Sequence, residues 1–131
     1  MAEVIGAVAF LNSLKVAHAE PRRTKSDREF SELLAILRNE EHAWIRLYSF
    51  YQWSEAGPPD YANMTDVVGE IIDAAPARVI WGSNWPHAGI AVPMPNDGDR
   101  LDFLLAAAPD ENIRNRILAD NVAHLYAWPA S

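Results

Sequence analysis

Val79-Ile80-Trp81-Gly82-Ser83-Asn84-Trp85-Pro86-His87 constrains this chain more than any other stretch. A β-branched apolar run stops at a Gly-Ser turn, and amide, indole and imidazole groups follow at once. A run apolar on both faces suits a strand buried inside a parallel sheet. Polar groups just past such a strand stand where α/β folds build their sites, at the C-terminal strand ends. The segment predicts a parallel sheet with a functional loop starting at Gly82.

The rest of the chain supplies elements that fit such a sheet. Val4 to Leu11 is a short apolar stretch, and a short strand is expected near Leu14–Ala17. Pro21 to Lys25 reads as a polar loop. Ser26 followed by Glu29 fits a capping box. Phe30, Leu33, Leu34 and Leu37 repeat at i, i+3, i+4, i+7 and predict an amphipathic helix to about Arg38. After an Asn39–His42 turn, Ala43 to Tyr48 alternates as a strand does. Ser49 to Asn63 is a long loop rich in Tyr and Trp, a segment of the kind that carries function. Met64, Val67, Val68, Ile71 and Ile72 predict a second helix, ended by Ala75-Pro76-Ala77-Arg78. Strand Val79–Trp81 follows, then a loop to Asp99. Leu101, Leu104 and Leu105 stripe a third helix; Ile113, Ile117 and Leu118 stripe a fourth. Strands that alternate with helices imply βαβ units.

With 131 residues the chain suits one domain, 1–131. Its formal net charge of −7 argues against nucleic acid or an anionic membrane as partner, since both select a basic face. Cysteine is absent, so metal ligands can come only from His, Asp or Glu, and no disulfide forms. No apolar run approaches the roughly 18 residues of a membrane span. Ala17-His18-Ala19 fits a small-x-small cleavage site, but the start carries Glu3 and no basic residue before Lys15. The expectation is a cytoplasmic chain whose first apolar stretch belongs to the fold, with a secretory leader as the alternative.

Residues 79–87 resemble the Gly-Ser-Asp-Trp-Pro-His signature of the amidohydrolase-related family of metal-dependent hydrolases. The resemblance runs from about Val16 to Tyr126. It includes residues 30–54, similar to the family's helix, strand and Tyr-Arg loop. It also includes residues 109–126, similar to its closing helix with Asp120-Asn121 and Leu125-Tyr126. The subgroup most resembled includes lactonases that act on dicarboxylate lactones. The resemblance implies an α/β fold, part of a (β/α)₈ barrel: its last three strands with the C-terminal helices. A whole barrel needs roughly 250 residues, and a half-barrel leaves two strand edges to be covered.

The resemblance also assigns candidate site residues. Asn84 stands where the family has its strand-end aspartate, a base or metal ligand. An amide cannot take a proton from water at neutral pH, so Asn84 is either a hydrogen-bonding remnant or a turn residue. Tyr51-Gln52 stands where lactonase-like members carry Tyr-Arg. The arginine would suit a substrate carboxylate; Gln52 keeps hydrogen bonding without the charge. Trp85 and His87 match the signature. Trp85 walls a pocket or packs under the loop, and His87 contacts substrate or is solvated. His18 is the candidate for a first-strand ligand, although its context aligns only with a shift. Arg46 is expected to pair structurally, and no chemistry is expected of His42 or His124.

The expected function is therefore that of a hydrolase acting on a small carboxylated lactone or ring, truncated and impaired because Asn84 replaces the family aspartate. The resemblance implies a divalent metal, Zn²⁺ or Mn²⁺, and this chain carries only part of such a ligand set, so a metal-free centre stays open too. The alternatives are a binding subunit that completes a barrel with another chain, homomeric or heteromeric, and a truncated fragment without function.

Overall fold

The computed structural model describes residues 3–6 and 25–129. Three strands, β1 (Glu3–Gly6), β2 (Ala43–Leu47) and β3 (Val79–Trp81), form one parallel sheet among the described residues, ordered β1-β2-β3. Ile5 lies opposite Ile45, and Ile45 opposite Val79. The helices are α1 (Lys25–Asn39), α2 (Thr65–Ala74), α3 (Asp97–Ala107), α4 (Glu111–Asn115) and α5 (Asn121–Leu125); a π-helical turn, Arg116–Asp120, joins the last two. The strand expected at Leu14–Ala17, the Pro21–Thr24 part of the polar loop and His18 lie outside the described residues.

Periodicity explains the packing. Leu33, Leu34 and Leu37 of α1 are buried, as are Val68, Ile71 and Ile72 of α2. They meet Ala43, Ile45, Leu47 and Val79 from one face of the sheet. α1 is already helical at Lys25, so Ser26 lies within it rather than capping it. Its other end is closed by Arg78, whose guanidinium donates to the carbonyls of Leu37 (2.6 Å), Glu40 (2.6 Å) and Ala43 (2.9 Å). A cation there satisfies carbonyls that a helix terminus leaves unpaired.

Three expectations about the C-terminal half are corrected. α3 begins at Asp97, because the Asn96 side chain accepts from Gly98 N at 2.7 Å and caps it. Its buried face is Arg100, Phe103, Leu104 and Ala107, whereas Leu101 and Leu105 are exposed. In the last helical stretch Ile117 is buried and Leu118 exposed; the inward face continues to Asn121. Asn121 Nδ2 donates to Pro76 O (2.9 Å) and Val79 O (2.7 Å). Arg78 O is taken by Ile45 N across the sheet, so Val79 O points away from β2, and Asn121 covers the outer edge of β3 there.

The aromatic loop after β2 is part of the core. Phe50, Tyr51 and Tyr61 are buried. Phe50 stacks on Phe103 with ring centroids 4.2 Å apart and meets Tyr61 edge-on at 5.5 Å.

Candidate functional site

β2 and β3 end side by side, and their continuations carry the site. Arg100 of α3 holds them together. Its NH2 donates to Tyr48 O (2.9 Å) beyond β2 and to Gly82 O (3.1 Å) beyond β3. Its NH1 donates to Ser83 O and to Asp97 Oδ1 (2.8 Å). The guanidinium is fully buried and lies 4.7 Å from the Tyr51 ring centroid and 5.6 Å from that of Trp81. Burial pulls its pKa below the ordinary arginine value, and the Asp97 carboxylate pushes it back up. A charge in this place is tolerated because carbonyls, one carboxylate and aromatic faces surround it.

The loop clamped by Arg100 turns back on itself. His87 N donates to Asn84 O at 2.7 Å across a cis Trp85–Pro86 peptide. Asn84 and His87 both take left-handed backbone angles, φ 59° and 58°; asparagine and histidine are among the side chains that do so most readily.

This turn aims both side chains at Tyr51. The Tyr51 hydroxyl is 2.9 Å from Asn84 Nδ2, which donates to it, and 2.9 Å from His87 Nδ1. His87 Nε2 lies 3.3 Å from Asp97 Oδ1, which also receives Arg100. One assignment of protons satisfies the whole chain. Asn84 donates to the phenol oxygen, the phenol donates to Nδ1, and Nε2–H faces the carboxylate. Asn84 Oδ1 is left without a hydrogen-bond partner among the described residues, and Asn84 is half-buried.

The sequence-derived candidates thus divide. Asn84, Tyr51 and His87 come together, and His87 is 5 % exposed rather than solvated. Trp85 is 76 % exposed and does not pack under the loop. Gln52 is half-buried, and its side chain makes no hydrogen bond among the described residues. Arg46 forms no structural ion pair among them either. Asp97 is hidden in the sequence because Asn96-Asp97-Gly98-Asp99 reads as loop, and Arg100 because an arginine reads as a surface residue until its carbonyl partners are known. The available signal was the i, i+3 pairing of Asp97 with Arg100, just after a capping asparagine.

Beside the site lies a cavity of about 230 Å³ reached past Tyr51, Ser54, Tyr61, Met94 and Asp99. Burial raises the pKa of the Tyr61 phenol, and the nearby Asp99 charge raises it further. A larger open cleft, about 640 Å³, lies at the other end of the strands among His42, Trp44, Arg78, Arg116 and His124. There His124 stacks on Trp44.

The described residues do not by themselves make a metal centre. No three His, Asp or Glu side chains among them converge as ligands, and His87 directs both ring nitrogens to protein partners. Among the described residues no helix is long and apolar enough to cross a membrane.

Comparison with known proteins agrees with this architecture. Residues 6–128 match the amidohydrolase family model. The chain is 37% identical over 112 residues to a 4-sulfomuconolactone hydrolase of Hydrogenophaga intermedia, covering 84% of this chain and 36% of that protein. It is 30% identical over 108 residues to a 2-pyrone-4,6-dicarboxylate hydrolase of Comamonas testosteroni, covering 77% and 35%. It therefore spans about a third of the length of these curated relatives. An apo crystal structure of an Agrobacterium tumefaciens protein shares the fold, with a TM-score of 0.68 at 24% identity, over 98% of this chain and 50% of that one. The strand-end loop, its supporting helices and these matches together make the chain a member of the amidohydrolase family.

Proposed function

We propose that this chain is a lactone hydrolase-like member of its family whose strand-end site binds a small anionic lactone and is impaired in hydrolysing it. The observation that carries this reading is the network Asn84–Tyr51–His87–Asp97 at the ends of β2 and β3. Lactone hydrolysis adds the oxygen of water to the ring carbonyl, breaks the ring C–O bond and returns a proton to the leaving oxygen. An amide at position 84 does not take the water proton. Its free Oδ1 accepts a hydrogen bond, so Asn84 can orient water or a substrate hydroxyl without activating it. Tyr51 and His87 hold Asn84 in place, and Arg100 holds the backbone that presents it. A Zn²⁺ or Mn²⁺ ion at this site would draw its ligands from outside the described residues, His18 among the candidates; Trp85 and Gln52 would border the substrate.

The chain reads as the last three strands of a (β/α)₈ barrel. Support comes from the sheet order, which follows the sequence order as in a singly wound barrel, and from the fold likeness over half of a longer chain. Calorimetric titration with 4-sulfomuconolactone and 2-pyrone-4,6-dicarboxylate tests the reading. Binding with little or no conversion is expected; absence of binding to either would refute it.

A second reading is a subunit that completes its barrel with another chain. Among the described residues β1 and β3 each pair with β2 alone, leaving two edges. Native mass spectrometry tests it, and a homomeric or heteromeric complex is the expected species.

A further inference from the structure

The sheet face opposite the α1–α2 core carries a cation that has no hydrogen bond or ion pair among the described residues. Ala43, Ile45, Leu47 and Val79 join the core, so strand alternation turns Trp44, Arg46, Ile80 and Gly82 to the other face. Arg46 sits on β2, the strand flanked on both sides, in register with Ile80. Parallel sheets are usually apolar on both faces, and a charge at such a position calls for a reason.

The surroundings of Arg46 make room for it. A Cβ placed on Gly82 would come 3.2 Å from Arg46 Cδ and 3.3 Å from Tyr48 Cβ, so the absence of a side chain at Gly82 gives the Arg46 stem its path. The guanidinium carbon stands 5.9 Å from the Tyr48 ring centroid. Arg46 is exposed and has no hydrogen bond or ion pair among the described residues. Other arginines around the sheet are committed: Arg78 to three carbonyls, and Arg100 to three carbonyls and Asp97. Gln52 offers no charge. The chain as a whole is acidic, with net charge −7, so a dianion approaching the strand ends needs a local cation. A guanidinium presents a planar fork of donors matched to a carboxylate or sulfonate.

We infer that Arg46 is the anion anchor of the strand-end site and takes the carboxylate or sulfonate substituent of the ligand. The choice of lactone as the ligand's core rests on the function proposed above. The anchoring itself rests on the position of Arg46 beside Gly82, two residues before Asn84.

The full chain is titrated with 2-pyrone-4,6-dicarboxylate, its dimethyl ester and glutarate, as wild type, Arg46→Met and Arg46→Lys. Arg46→Met should weaken dicarboxylate binding by about tenfold to hundredfold, the worth of a charge-assisted pair, and leave the ester unaffected. Arg46→Lys should retain part of the affinity, because it keeps the charge and loses the fork. Both variants should unfold at the wild-type midpoint, as Arg46 is exposed. Undiminished dicarboxylate binding by Arg46→Met would overturn the anchor and leave the lactone reading standing. Arg46-dependent binding of glutarate without binding of the lactone would support the anchor and overturn the lactone reading. Failure of wild type to bind either dianion would overturn both.

Discussion

The Tyr51 hydroxyl lies 2.9 Å from His87 Nδ1, joining the loop after β2 to the loop after β3 across 36 positions of sequence. Asn84 reaches the same oxygen, so one phenol fixes two residues of the turn. The ring beneath it rests against the Arg100 guanidinium. Local geometry at Asn84 therefore depends on a side chain from another loop and on a helix well downstream.

Tyr51→Phe keeps the ring and removes the oxygen. Asn84 Nδ2 and His87 Nδ1 then lose a partner in a largely buried setting. A loss of about 1–3 kcal/mol is expected, measured as a lower urea midpoint with an unchanged slope.

Arg100→Met leaves the carbonyls of Tyr48, Gly82 and Ser83 without their donor and Asp97 without its cation. Removing one partner of a buried pair costs about 3–5 kcal/mol. Equilibrium unfolding should show a loss of that order, larger than that of Tyr51→Phe.

The corrected face of α3 makes an opposite pair of expectations. Leu104→Ala opens a cavity in the core and should cost about 2–5 kcal/mol. Leu105→Ala, on the exposed side, should stay within about 0.5 kcal/mol. Equal losses in thermal unfolding would contradict the assignment of the face.

Tyr61 gives the chain an alkaline dependence with a defined sign. Its folded pKa is raised above the unfolded value by burial and by Asp99. Above about pH 10 the unfolded chain releases this proton while the folded chain keeps it, so stability falls as pH rises. The contribution is whole below the unfolded pKa and is lost as pH climbs through the folded one. Unfolding midpoints measured across this range should decline less steeply in Tyr61→Phe than in wild type.

Much of the fold was legible wherever apolar spacing was regular. Strand Val79–Trp81, the stripe of α1 and the stripe of α2 follow directly from it. The face of α3 did not, because a buried arginine occupies one position of its stripe and reads as a surface residue until its carbonyl partners are known. The aromatic loop after β2 concealed core residues for a related reason: Phe50 and Tyr61 are buried by tertiary packing, not by local period. Of the site, Asn84, Tyr51 and His87 could be named from the sequence. Their joining through one hydroxyl, and the role of Asp97, depend on a left-handed turn and a capped helix start that composition hides. Arg46, expected to pair structurally, has no hydrogen bond or ion pair among the described residues and stands 5.9 Å from the Tyr48 ring centroid, a placement that only the three-dimensional packing reveals.

We propose that the strand-end site lacks its base, because Asn84 stands where the family signature resembled by residues 79–87 carries aspartate. Turnover of 4-sulfomuconolactone by wild type and by Asn84→Asp, followed by ultraviolet absorbance with binding measured in parallel, tests it most directly. Aspartate also tolerates the left-handed angle at this position. Comparable binding by both proteins, little or no turnover by wild type and at least tenfold faster turnover by Asn84→Asp are expected. Efficient turnover by wild type, or none gained by an Asn84→Asp protein that still folds and binds, would contradict it.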